Sequence, residues 1–223
     1  MGHPFEEHLA RIRETLLMMS SLTDRNLSIA IRSLVERDNK LAEAAEAEDS
    51  EIDQLEINID EMVITYVATH APVARDCRLM LGASKISNNL ERIADQATTV
   101  ARRARALNDE PQLAPLIDIT EMAKLAQSML HDAITAFVDG RFELAQEIIK
   151  RDKEVDRINI RVARELTELM MQSPGNVTRA VNLLTVAKAI ERAADHAQNI
   201  AEEVFFMYKG RDIRHVTKNL ATR

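Results

Sequence analysis

The stretch Glu91-Arg-Ile-Ala-Asp95-Gln-Ala returns 100 residues later as Glu191-Arg-Ala-Ala-Asp195-His-Ala. Six of the eleven residues counted from each glutamate are identical. A second repeat lies upstream, where Asp49-Ser-Glu-Ile-Asp53 corresponds to Asp152-Lys-Glu-Val-Asp156. The chain is therefore an internal duplication that repeats pairs of acids four residues apart. Such a pair shares one helix face and destabilises it by roughly a few tenths of a kcal/mol, so we expect an arginine or a metal ion between the acids.

The composition is typical of long helices and of a protein without a nucleic-acid partner. The 223 residues include only 5 glycines, 5 prolines and no tryptophan, whereas strong helix formers dominate. The net charge of −7 argues against nucleic acid as the main partner. The single cysteine fits a reducing compartment, and no apolar run reaches the length of about 18 residues that a membrane helix needs. We therefore expect a cytoplasmic protein with no direct membrane insertion.

Helix breakers occur in the same order twice. Apolar periodicity predicts helices over 4–37, 49–69 and 73–106, and again over 116–138, 152–172 and 177–209, with short helical segments at 41–47 and 142–149. Pro72 and Pro174 mark the hairpin turns, Gly210 ends the last helix, and the linker runs from Asn108 to Pro115. We predict an all-α fold of two tandem three-helix bundles, spanning residues 1–110 and 111–223.

Acidic side chains form a stripe on the predicted second helix. Asp49, Asp53, Glu56 and Asp60 share one helical face, and no Lys or Arg occurs from residue 41 to residue 74. If the next helix packs antiparallel, its acids converge with this stripe. Clustered oxygen ligands from facing helices bind hard cations, and Fe, Mn, Mg and Zn all accept carboxylate. The candidate metal ligands are Asp49, Asp53, Glu91, Asp95, Asp152, Asp156, Glu191 and Asp195.

The second candidate site is expected to be the weaker one. Asn159 and Ala163 take the places of Glu56 and Asp60, and several arginines follow in the sequence. The alternative to metal binding is a solvated helix face whose acids are bridged by Arg92 and Arg192. No Glu-x-x-His, P-loop or Gly-x-Ser-x-Gly motif occurs, and His196 lies about 140° round the helix from Glu191, a poor position for a co-ligand. We therefore assign no catalytic and no organic-cofactor residues.

Several motifs resemble the PhoU family, the regulators that accompany the bacterial phosphate-specific transporter. They are Pro72-Val-Ala-Arg-Asp-Cys-Arg-Leu79, Lys85-Ile-Ser-Asn-Asn-Leu-Glu-Arg-Ile-Ala-Asp95, Ala187-Lys-Ala-Ile-Glu-Arg-Ala-Ala-Asp-His-Ala-Gln-Asn-Ile200 and Lys209-Gly-Arg-Asp-Ile-Arg-His-Val216. The resemblance covers essentially the whole chain. One departure is that Ala94 and Ala194 stand where the family usually has glycine; Ala is small enough to preserve close helix packing.

The resemblance implies a fold, metal sites and a function. The fold is a pair of three-helix bundles, and the family's Glu/Asp-x-x-x-Asp motifs, which bind surface metal clusters in some members, fall on the eight candidate ligands. The implied protein is a homodimeric negative regulator of phosphate uptake and phosphate-starvation signalling, and not an enzyme. It would act as an adaptor between a sensor histidine kinase and the ATPase subunit of the phosphate ABC transporter. The alternatives are a metal-dependent hydrolase with a di-metal site and a metal buffer.

Overall fold

The computed structural model describes residues 4–113, 117–211 and 213, and this part of the chain is almost entirely helical. The helices are α1 (Pro4–Val35), α2 (Asn39–His70), α3 (Ala74–Asn108), α4 (Ile117–Asp139), α5 (Leu144–Gln172) and α6 (Val177–Lys209), with a 3-10 turn at Pro174–Asn176. The predicted all-α class and the repeated order of three helices are confirmed. Pro115, Leu116 and most of the motif that follows Arg211 lie outside the described residues.

Two predicted helix breaks are wrong. The segment at 41–47 and the helix predicted from Asp49 are one continuous helix, α2. The stretch contains neither Gly nor Pro, and Ala42, Ala45 and Ile52 continue a single buried face, so a high density of acids does not interrupt it. The same holds in the second half, where the segments predicted at 142–149 and 152–172 form α5, and Ala145 and Ile148 extend its buried face.

The connection between α1 and α2 also fixes the end of α3. Arg37 has a positive φ of 56°, and its guanidinium donates hydrogen bonds to the carbonyls of Leu107, Asn108 and Glu110. These carbonyls belong to the last turn of α3 and its exit, where intrahelical partners run out. Asp38 then caps α2 by accepting from the backbone N–H of Lys40 at 2.8 Å.

The core of the molecule is built around α3 and α6, which make the most extensive helix contact. They run antiparallel, because Lys85 faces Glu203 and Arg103 faces Asn182. Buried alanines allow the close approach, and they are Ala83, Ala94, Ala97, Ala101, Ala104, Ala187, Ala193, Ala194, Ala197 and Ala201. Ala94 and Ala194, which stand where the family usually has glycine, are fully buried, so both small side chains take part in the packing.

The two halves share one hydrophobic core. The buried apolar residues of all six helices belong to a single cluster, and α1 contacts α4 directly across the repeat boundary. The predicted division between residues 110 and 111 stays a prediction. Among the described residues, no helix is both long enough and apolar enough to cross a membrane.

Candidate metal centre: two acid clusters

The first acid cluster, which consists of Asp49, Asp53, Glu56, Glu91 and Asp95, lies between α2 and α3. The helices pack antiparallel, so each acid of α2 meets a partner on α3: Asp49 and Asp53 both experience the charge of Asp95. Glu91 in turn experiences Asp95, Glu56 and Asp53. The structure therefore brings together the four candidate ligands of the first half and adds Glu56 from the predicted stripe.

The flanking residues of this stripe are held by polar side chains of α3. Asn88 donates a hydrogen bond to Glu56 at 3.0 Å, and the Ser84 hydroxyl donates to Asp60 at 2.5 Å. Asp60 is thus held one turn beyond the cluster.

Burial and mutual repulsion raise the pKa values of Asp49, Asp53 and Glu91 in the first cluster. Desolvation is the main cause for Asp49 and Asp53, followed by the charge of a neighbouring carboxylate, so the pKa of each lies above its usual value. The pKa of Glu91 rises to about 7, first through desolvation and then through Asp95, with Arg92 opposing. A carboxyl group with such a pKa lies in a site where negative charge is under-compensated.

Arg92 lies beside the first cluster. Arg92 approaches Glu91 at 3.3 Å and Asp95 at 3.5 Å, with about half of its own side chain exposed. Arg92 therefore bridges Glu91 and Asp95, as the alternative of a solvated helix face predicts, and metal binding at this pair stays a prediction. The contact with Glu91 is an ion pair without hydrogen-bond geometry, because the buried Oε2 atom of Glu91 has no hydrogen-bond partner. Arg92 thus leaves one buried carboxylate oxygen unsatisfied, which favours a further ligand of positive charge.

The second acid cluster lies between α5 and α6 and consists of Asp152, Asp156, Glu191, Asp195 and Glu202. Desolvation raises the pKa of Asp152 to about 7, with Asp195, Asp156, Glu191 and Glu202 all adding repulsion. The pKa of Asp195 rises to about 6 through desolvation and then Glu191 and Asp156. The four candidate ligands of the second half are therefore also brought together.

Lys188 lies beside the second cluster, 2.5 Å from Oε2 of Glu191, and Arg192 also opposes the rise in the pKa of Asp195. That oxygen of Glu191, like its counterpart on Glu91, is buried and lacks a hydrogen bond of good geometry. In each half, a basic side chain therefore forms an ion pair with the glutamate of the repeated motif.

Sequence reasoning missed Glu202. The offset that aligns Glu91 with Glu191 also aligns Arg102 with Glu202, and this internal alignment was the signal that could have found it. In the first half, the charge of Arg102 opposes the rise in the pKa of Asp49. In the second half, the charge of Glu202 adds to the rise in the pKa of Asp152. The exchange of a cation for an acid makes the second cluster more negative at this position.

Two of the arginines near the second cluster form ion pairs with acids outside it. Arg157 pairs with Glu154 at 2.6 Å, and Arg161 pairs with Asp118 of α4 at 2.7 Å. Both cations are therefore engaged by acids outside the cluster. The relative strength of the two sites stays a prediction, but these two arginines no longer argue for a weak second site.

The donor chemistry of both clusters fits a hard cation. All of their acidic ligands offer oxygen, and two buried oxygens lack a hydrogen bond. In the part of the chain that the structure describes, no three His, Cys, Asp or Glu side chains already converge as a metal-ligand group, so binding requires carboxylate side chains to rotate inward. His196 is engaged elsewhere, with Nδ1 at 3.0 Å from Oδ1 of Asn89, and burial lowers its pKa.

Fold and site together define a class, that of all-helical proteins made of two homologous bundles, each with an acid cluster between its second and third helices. The sequence profile of the PhoU domain matches residues 16–104 and 119–204. Each match covers one copy of the repeat and its cluster. The chain belongs to the PhoU family.

Individual relatives agree over nearly the whole length. The chain is 35% identical to the phosphate-specific transport system accessory protein PhoU homolog of Pseudomonas aeruginosa over 217 residues, which is 97% of this chain and 90% of that protein. It is 32% identical to the phosphate-specific transport system accessory protein PhoU of Escherichia coli over 212 residues, with 95% and 88% covered.

Solved structures show the same fold. The crystal structure of PhoU from Pseudomonas aeruginosa superposes with a TM-score of 0.90 at 35% identity, and the match covers 93% of this chain and 100% of that one. The phosphate transport system regulatory protein PhoU from Streptococcus pneumoniae gives a TM-score of 0.86 at 25% identity, with 94% and 99% covered.

Proposed function

We propose that this protein is a negative regulator of phosphate uptake and phosphate-starvation signalling. It acts on the cytoplasmic side as a homodimeric adaptor between a sensor histidine kinase and the ATPase subunit of the phosphate transporter. The observation that carries the regulatory role is the match to accessory proteins of phosphate-specific transport over 97% of the chain.

Exposed apolar side chains at equivalent positions of the two halves support an adaptor with two related contact faces. Ile57 of α2 is 51% exposed and Ile160 of α5 is 70% exposed, and the offset that aligns Asp49 with Asp152 also aligns these two residues. A single exposed isoleucine is common, but the same exposure in both copies supports a shared use.

Binding to the purified partners tests the adaptor role. We expect the wild-type protein to bind the cytoplasmic part of the kinase or the ATPase subunit in surface plasmon resonance with metal and phosphate present. The variant Ile57→Ser/Ile160→Ser should bind at least about tenfold more weakly, because apolar anchors contribute most to such contacts. Thr167→Ser, a conservative change at an exposed position on α5, is the control. Absence of binding to both partners would contradict the adaptor role.

We also propose that both acid clusters bind metal ions, with Fe, Mn, Mg and Zn as candidates. In the first half, Asp49, Asp53, Glu91 and Asp95 would hold the metal; in the second half, Asp152, Asp156, Glu191 and Asp195 would do so. The raised pKa values of Glu91 and Asp152, both about 7, support this assignment, because a cation would relieve the repulsion among the acids.

Elemental analysis by mass spectrometry tests the metal sites separately. Protein purified without chelator should contain metal, and Glu91→Gln/Asp95→Asn and Glu191→Gln/Asp195→Asn should each lose only the share bound by one half. Glu165→Gln/Glu168→Gln removes two exposed acids of α5 and should lose none. A metal-free wild type that also fails to take up added Fe, Mn, Mg and Zn would contradict the metal sites and support the alternative of a solvated helix face.

A metal-dependent hydrolase is the alternative function, since a di-metal carboxylate site can activate water. The relatives named above are accessory or regulatory proteins, which favours the regulator. Turnover of phosphoesters by the Mn²⁺- or Fe²⁺-loaded protein, lost in the Glu91→Gln/Asp95→Asn variant, would establish the hydrolase instead.

A further inference from the structure

A large cavity lies away from both acid clusters, where the N-terminal half of α1, the first turns of α3 and the end of α6 meet. Its volume is about 870 Å³, and three arginines line it, Arg13, Arg75 and Arg78. Leu9, Leu79 and Met207 supply apolar wall. Cavities of this size, with apolar walls and a few convergent polar groups, are the usual form of a small-molecule site. We call it the arginine cavity.

The guanidinium groups of this cavity form no ion pair among the side chains that the structure describes. Glu14 and Asp76 also line the cavity, but neither lies at ion-pair distance from the three arginines. Arg13 makes one hydrogen bond, from Nη2 to the Tyr208 hydroxyl at 3.2 Å. The Nε atoms of Arg13 and Arg78 are buried and have no hydrogen-bond partner.

This arrangement is unusual in a chain with a net charge of −7. All the arginine ion pairs among the described residues lie elsewhere, as in Arg25 with Glu48 or Arg161 with Asp118. The three arginines outnumber the two acids that line the cavity, so the local field favours an anion. The Nε–H and Nη–H edge of arginine matches the oxygens of phosphate and of carboxylate in a two-point contact, so the missing acceptors point to an oxyanion such as a phosphate group.

The start of α3 adds to the positive field. Val73, the N-cap residue, makes no side-chain hydrogen bond to the helix, so the first backbone N–H groups of this 35-residue helix have no side-chain acceptor at the cap. Arg75 and Arg78 lie in these first turns. On the opposite side, the Arg78 side chain lies beside Gly210, the residue that ends α6.

We propose that the arginine cavity binds an organic phosphate of nucleotide size, with its phosphates on Arg13, Arg75 and Arg78 and its organic part against Leu9, Leu79 and Met207. The volume exceeds what inorganic phosphate fills, and the apolar wall gives inorganic phosphate nothing to contact. The proposal is independent of metal binding and of the adaptor role.

Isothermal titration calorimetry tests the proposal, with excess EDTA so that no metal at the acid clusters bridges the phosphate. Adenosine triphosphate is the main probe, and inorganic phosphate and citrate are the comparison anions. We expect saturable binding of the nucleotide and weaker binding of inorganic phosphate and of citrate, since neither comparison anion covers the apolar wall. Arg75→Gln and Arg78→Gln should each weaken nucleotide binding at least about tenfold, since each removes a charge-assisted contact.

The control is Arg164→Gln, which removes an exposed arginine on α5, and it should bind as the wild type does. Arg75 is itself exposed, so its loss should leave the thermal unfolding temperature unchanged and separate lost binding from lost folding. The proposal is overturned if the nucleotide shows no saturable binding up to about 1 mM, or if Arg75→Gln binds it as tightly as Arg164→Gln. Equal affinity for inorganic phosphate, or tighter binding of citrate, would overturn the assignment of the ligand class.

Discussion

At the scale of single residues, Glu91 combines burial with repulsion. Its side chain is only 16% exposed, its Oε2 atom lacks a hydrogen bond, and its pKa rises to about 7. The unfolded chain would give it an ordinary glutamate pKa, so between about pH 4.5 and pH 7 the folded state binds more protons than the unfolded state. The stabilisation that this proton provides is present at low pH and is lost as the pH rises through about 7.

The variant Glu91→Gln should remove this pH dependence. In the metal-free protein with EDTA, we expect its unfolding temperature to exceed that of the wild type at pH 8 by about 2–4 °C, which corresponds to ~1 kcal/mol for a chain of this size. The difference should shrink to near zero by pH 5, where the wild-type carboxyl is protonated. Differential scanning calorimetry measures it, with Glu165→Gln as the exposed control. If Glu91→Gln were less stable than the wild type at pH 8, the interpretation that neighbouring acids repel the Glu91 carboxylate would be wrong.

At the scale of helices, the close approach of α3 and α6 depends on Gly82. A Cβ atom at this position would lie 2.4 Å from the Cγ and Sδ atoms of Met207. Such a separation is too short for a carbon contact, so either the helices separate or the methionine moves. Gly82 lies inside α3, where glycine costs about 0.5–1 kcal/mol relative to alanine, and the clash with the Met207 side chain opposes the gain that alanine would bring.

The variant Gly82→Ala should lower the free energy of unfolding by about 1–2 kcal/mol, since overpacking outweighs the gain in helix propensity. Gly175→Ala is the matched control, because a Cβ there meets only the Ser173 hydroxyl at 3.6 Å, an ordinary contact. Urea denaturation monitored by circular dichroism measures both. An increase in stability for Gly82→Ala would show that Met207 yields without cost.

The helical scale also explains the two errors in the prediction of helix breaks. Dense acids before Asp49 and the polar stretch around Arg151 both interrupt the apolar pattern of the sequence. Buried faces made of alanine and one or two aliphatic residues continue through both stretches in the structure. Alanine carries a weak hydrophobic signal, so periodicity underestimates a helix whose contact face is built from it.

At the scale of the whole molecule, the duplicated halves share one core, and the protein should unfold as a unit. Leu90 and Ile190 occupy equivalent positions and are both fully buried. We expect Leu90→Ala and Ile190→Ala each to cost about 2–5 kcal/mol and to lower the same single thermal transition, because α3 and α6 are packed on each other. Calorimetry checks this. Two separate transitions, each moved by only one of the variants, would show that the halves unfold independently.

The sequence by itself determined the helical class, the duplication, the family and all eight candidate ligands. These features are local: spacing of three and four residues places side chains on one helix face, and a repeat is visible without any contact. Even the convergence of acids from α2 with those of α3 followed from a short hairpin, which leaves two long helices little choice but to pack antiparallel.

Only the tertiary structure decided how the halves meet and which distant residues share a site. It placed Glu202 in the second cluster and directed Arg161 to Asp118. It also brought Arg13 together with Arg75 and Arg78, which are more than 60 residues away along the chain. The physical reason is that contacts between helices depend on the depth and rotation of their packing. Small residues such as Gly82 and Ala94 set this depth and rotation. The order of residues along the chain does not show which neighbouring helix each of them contacts.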